Sequence, residues 1–147
     1  MWEPDSDIAQ LVSRIVERAK TDAILEKRDA QSRAAERHYA EGTLVGGAML
    51  SDVEKTALDA LNAAGSRAIR EAIEFFRRTY GKPLPNEVRS WLRERLSQFV
   101  DGMASGLTGE LEENRKRQAV HVAGAGERLL RAASSLKLDL DVELAVG

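Results

Sequence analysis

The sequence predicts a mainly α fold: three to four long amphipathic helices in a bundle-like arrangement, followed by a short C-terminal β-strand. Three observations lead there. Apolar residues recur at i, i+3 and i+4 through nearly all of the first 135 positions, the spacing of a helix with one buried face. Alanine returns in almost every turn while aromatics make up only 5% of the chain, which favours closely approaching helices over a thick aromatic core. The closing "SLKLDLDVELAVG" alternates apolar with polar from Leu136 to Val146, the two-residue period of a strand. With 147 residues, 43% apolar and 31% charged, one helical domain over 1–147 accommodates the whole chain, with the strand at 137–146.

Helix one begins near Asp5 or Ser6, either of which can accept from a free N–H of the first turn, and carries Ile8, Leu11, Val12, Ile15, Val16 and Ala19. Beyond Leu25 only an alanine stripe continues through "EKRDAQSRAAERHYAEG", a stretch expected to stand in water or meet a partner, and Gly42 suits the position just past a helix end. "GTLVGGAML" at 43–50 reads as a buried loop or a short strand broken by Gly46 and Gly47. "SDVE" at 51–54 has the form of a capping box and marks the expected start of helix two.

The stripe of helix two runs through Val53, Ala57, Leu61, Ala64, Ala68, Ala72, Ile73, Phe76 and Tyr80, with Gly65 and Ser66 as a possible kink. Gly81, Pro83 and Pro85 in "TYGKPLPNE" predict a helix–helix corner. Helix three carries Val88, Trp91, Leu92, Leu96, Phe99, Val100 and Met103, the strongest apolar stripe, and is expected at the centre of the core. Gly102, Gly106 and Gly109 predict a break near Thr108. Between Leu111 and Leu136 two readings compete: a helical stripe through Val122, Gly126, Leu129, Ala133 and Leu136, or a short strand at 119–123 followed by a glycine turn and a short helix. The terminal strand needs a neighbour, because a lone strand leaves N–H and C=O groups unpaired on both edges. That neighbour is expected at 119–123 or 43–50, in a second copy, or in a partner.

Composition narrows the function classes. Without cysteine there are no disulfides, thiolate metal sites or thiol nucleophiles, and a reducing compartment is the natural expectation. The acidic start "MWEPDSDIAQ" and the lack of an apolar run of about 18 residues lead us to expect a cytoplasmic protein with no membrane segment. "GAG" at 124–126, with Asp141 and Glu143 downstream, echoes a dinucleotide fingerprint, but Leu129 stands where a small residue is needed. Asp139, Asp141 and Glu143 would share one face of the strand, too few oxygens for a hard cation. His38 and His121 lack metal-type neighbours or a nucleophile. No cofactor and no catalysis are therefore expected.

Two expectations about partners remain. The first is a non-catalytic module for protein–protein interaction or oligomerisation, binding itself or another protein through helix faces and through pairing of the C-terminal strand, with Leu138, Leu140, Val142 and Leu144 filling the apolar side. The alternative is a small nucleic-acid-binding regulator. Residues 65–100 hold eight basic and four acidic side chains, and Arg67, Arg70, Arg77, Arg78, Lys82, Arg89 and Arg93 flank the helix–helix corner.

Overall fold

The computed structural model describes residues 2–44, 46–118 and 124–146. They form four helices: α1 (Ser6–Glu41), α2 (Gly47–Tyr80), α3 (Asn86–Gln118) and α4 (Ala125–Ala145). Gly42 ends α1 in the left-handed conformation (φ 74°), and the Thr43 N–H donates to the His38 carbonyl at 2.7 Å. At the α2–α3 corner Gly81 takes φ 93°, Leu84 is buried, and Pro85 supplies the carbonyl that receives the Arg89 N–H of the first α3 turn at 2.9 Å.

Consecutive helices run antiparallel. Two ion pairs show it for the first two helices: Arg67 of α2 pairs with Asp22 of α1, and Arg37 of α1 with Asp52 of α2. Lys137 and Asp141 of α4 pair with Asp101 and Arg93 of α3. The central element is α2, which packs along α1, α3 and α4; α3 and α4 also pack on each other, whereas α1 and α4 share no extended interface. Centrality thus falls to α2 and not to α3, because α2 buries a face broad enough for three neighbours, from Met49 to Phe76.

The core has two connected parts. One gathers Leu50, Leu61, Val100, Leu107, Leu129 and Leu136; the other gathers Val12, Ile73, Phe76, Leu92, Leu96 and Leu140. Ala19, Ala23 and Ala34 of α1 are buried, as are Ala57, Ala60, Ala64, Ala68 and Ala72 of α2, the small side chains that let two backbones approach. Aromatics close one end, with Trp2 edge-on to Tyr80 at 5.5 Å and Phe76 stacked on Trp91 at 5.7 Å.

Several boundaries differ from the sequence expectations. No strand occurs among the described residues, and 137–145 is helix. Its backbone groups bond within the helix, so the pairing problem disappears. Propensity agrees: "LKLDLDVELA" holds four leucines and strong helix formers but only one β-branched residue. The proposed neighbour at 119–123 lies outside the described residues. Of the other, 43–50, the residues from Gly47 to Leu50 open α2, and Met49 and Leu50 are buried. Helix two therefore starts at Gly47 and not at the "SDVE" box, leaving Ser51 exposed within it and Glu54 buried against Arg128 of α4. Gly65 does not divide α2. A Cβ there would lie 2.6 Å from Cδ1 of Leu136, so glycine makes room for α4. Nor does α3 break near Thr108, since Gly102, Gly106 and Gly109 face open space within a continuous helix. Finally, α1 beyond Leu25 is packed: Lys27, Ala34 and His38 are all buried.

Candidate interaction surface

The tail that alternates in sequence is a helix that is apolar on two opposite sides. Leu129, Ala133, Leu136, Leu140 and Leu144 follow one another at three- or four-residue intervals and face the core, all 3% exposed or less. Leu138 and Val142, two positions out of step with that stripe, are rotated by about 200° around a helix with 3.6 residues per turn. They emerge on the outside, 66% and 62% exposed. Of the four residues expected to share a strand face, Leu140 and Leu144 therefore belong to the protein's own core and only Leu138 and Val142 are free for a partner. Ser135 and Ala145 are exposed on the same side, giving an outward seam of Ser135, Leu138, Val142 and Ala145 with 3-4-3 spacing.

Beside this seam α4 and α2 leave a groove of about 440 Å3 lined by Ser66, Ile69, Arg70, Leu136, Asp139, Val142 and Glu143. Arg70 on one wall and Asp139 and Glu143 on the other form no side-chain ion pair among the described residues, although much of the surface is cross-linked by such pairs. Asp141 lies on the other flank of α4, where Arg93 Nε donates to its Oδ1 at 2.7 Å. The acidic row expected on one strand face is thus split. Among the described residues no group of three His, Cys, Asp or Glu is arranged to hold a metal ion. "GAG" at 124–126 forms the N-cap and first turn of α4, Gly124 having φ 73°.

The arginines of the basic segment have mixed positions. Arg67 is held by Asp22 and Glu71, whose hydrogen bonds, Asp22's first, push its pKa further up. Arg77 donates to the carbonyls of Glu143 at 2.7 Å and Val146 at 2.9 Å, placing a cation on the negative end of α4. Arg93 is tied to Asp141 and Arg89 to Asn86. Arg70, Arg78 and Lys82 are exposed and form no ion pair among the described residues. The structure thus brings four of the seven into contacts within the fold.

At the opposite end, a buried polar chain joins α1 to α2. His38 is 5% exposed; its Nδ1 lies 2.6 Å from Thr43 Oγ1 and its Nε2 2.5 Å from Asp52 Oδ2, with Arg37 also on Asp52. With Asp52 ionised, Nε2–H donates to the carboxylate, while Nδ1 shares a hydrogen bond with the Thr43 hydroxyl. The His38 hydrogen bond holds the Asp52 carboxyl below its ordinary value of 3.8, partly opposed by burial and helped by Arg37.

Sequence reasoning passed over the outer face of α1. Leu11, Arg14, Arg18, Thr21, Leu25 and Arg28, alternating three and four residues apart, are all exposed; Leu11, expected in the buried stripe with Val12, lies outside it. The three arginines form no ion pair among the described residues. Their signal in the sequence is the same three-and-four spacing, carried by positions outside the buried stripe. The chain matches no family model, no curated protein and no solved structure. No helix of the described residues is long and apolar enough to cross a membrane.

Proposed function

We propose that this chain is a non-catalytic helical interaction module that binds protein through the outward face of α4. One observation carries the proposal: Leu138 and Val142 contribute little to the core, yet they sit one helical turn apart on the outside of a helix whose inner face is fully packed. Isolated surface leucines need no explanation, but this pair continues into a small-residue seam beside a groove with Arg70 on one wall and Asp139 and Glu143 on the other. Helix-against-helix association uses such a surface, with apolar anchors at i and i+4 and charged flanks setting register. Strand addition is not part of the mechanism, because α4 has no free backbone edge among its described turns.

The test compares the wild-type chain with Leu138→Gln, Val142→Gln, recovered from the cells that make it. The wild type is expected in a complex heavier than its own 16.2 kDa. The substituted chain should keep its helical circular dichroism and melting temperature but run as a monomer. Equal mass for both, or a monomeric wild type, defeats the proposal. A mixed DNA and RNA pool titrated across a salt series is a parallel control. Retention that weakens steeply with salt would favour the segment around Arg70, Arg78 and Lys82 instead.

A further inference from the structure

Resting on that reading, we infer that the partner of the α4 face is the α1 face of a second copy of this chain, packed antiparallel. Four features support it. First, the topology leaves both faces open: α2 packs on α1 and on α4, while those two share no extended interface, so each outer face lacks a helix from its own chain. Second, the lengths agree. The α4 positions from Arg131 to Ala145 and the α1 positions from Leu11 to Leu25 each cover 15 residues, about 21 Å from first to last at 1.5 Å per residue.

Third, the spacing agrees. Both seams alternate three and four residues apart, the register in which two helices interleave side chains. Setting Leu11 opposite Ala145 places Arg14 by Val142, Arg18 by Leu138, Thr21 by Ser135 and Leu25 by Arg131. Fourth, the charges are complementary in that orientation. Arg14 and Arg18 on the α1 seam form no ion pair among the described residues, the neighbouring Asp22 being held by Arg67, and Asp139 and Glu143, on one flank of Leu138 and Val142, likewise form none. Arg14 and Arg18 lay their alkyl stems across the leucine and valine and bring their guanidinium groups to those carboxylates. Arg131, at the other end, meets the exposed Glu26 beside Leu25. The antiparallel direction also sets the two helix dipoles favourably, as a parallel one does not.

The contact joins two different surfaces, so it is head-to-tail: one copy's α1 on the next copy's α4, with each end still open. Association is therefore expected to grow with concentration beyond a dimer unless the ring closes. Salt should weaken it, because the charge pairs are exposed.

The natural absence of cysteine makes a clean test of register possible. Purified Thr21→Cys and Ser135→Cys chains, both at exposed or rim positions away from the core, are oxidised singly and as a mixture. Each alone should remain largely monomeric under denaturing, non-reducing conditions, while the mixture gives a species of twice the mass and the double variant a ladder. Light scattering provides the independent arm. Arg14→Glu, Arg18→Glu and, separately, Asp139→Arg, Glu143→Arg should each abolish association, and mixing the two charge-reversed chains should restore it. Dimers from Ser135→Cys alone would instead reveal a symmetric α4–α4 contact, overturning this inference but leaving the role of α4 intact. A wild type at monomer mass at every concentration and salt overturns self-association, and the recovery experiment on Leu138 and Val142 then decides whether α4 binds a different protein.

Discussion

Alanine substitution at Leu138, Leu140, Val142 and Leu144 separates a two-faced helix from a strand by the pattern of loss. Leu140 is fully buried, so Leu140→Ala removes a packed side chain and leaves a cavity, at a cost of about 2–5 kcal/mol. For a chain of this length that lowers the melting temperature by roughly 5–15 °C. Leu144, 3% exposed but close to the helix end, belongs at the lower end of that range, about 2 kcal/mol. Leu138→Ala and Val142→Ala should stay within about 0.5 kcal/mol of wild type, because both side chains are mostly in water and alanine is the better helix former. Thermal melts followed by far-ultraviolet circular dichroism, on dilute chain in high salt so that association contributes nothing, measure all four. On a strand with one buried face the four losses would be similar. Equal losses at Leu138 and Leu140 would refute the helical placement and the surface built on it.

Three further outcomes follow from particular contacts. Gly106→Ala, opening into free space, should stabilise by up to about 1 kcal/mol in urea unfolding, whereas Gly65→Ala should gain nothing or lose stability because its methyl meets Leu136 at 2.6 Å. Asp52 has a folded pKa below its unfolded value, so its contribution is present above pH 4 and fades as pH falls through the folded pKa. Urea midpoints of Asp52→Asn should accordingly fall less than those of wild type on acidification below pH 4. Lys27 is buried and pairs with the half-exposed Glu110 of α3. Lys27→Met should therefore be nearly neutral, while Glu110→Ala, which strands the ammonium, should cost about 1–3 kcal/mol in the same assay.

Much of the fold was legible because its signals were local. Gly42 and the Gly81–Pro85 corner end helices for reasons of backbone geometry that no tertiary contact overrides, and both boundaries stand where the residues place them. The misplaced boundaries have the opposite character. Gly65 reads as a breaker until Leu136 of α4 is found against it, and "SDVE" reads as a helix start until Met49 and Leu50, just before it, are found buried by distant helices. Likewise the stretch beyond Leu25 looks too polar to bury until Glu110 of α3 and Asp52 of α2 are found beside Lys27 and His38. In each case the deciding partner lies far along the chain, where spacing within one segment carries no information.

The C-terminal alternation is ambiguous for a more instructive reason. A period of two contains a period of four, so Leu136, Leu140 and Leu144 can form a helical stripe while Leu138 and Val142 form another on the opposite side. A strand explains all five residues with one buried face; a helix explains three with the core and leaves two that folding does not require. On the proposed reading those two form the contact surface. If stability were the only constraint, polar residues at 138 and 142 would serve the bundle equally well, since neither side chain is packed inside it. A second apolar face on a helix already satisfied by its core is most economically explained by a second helix. The arginines on the open side of α1 then supply, within the same sequence, a face with the same three-and-four spacing and cations to meet Asp139 and Glu143.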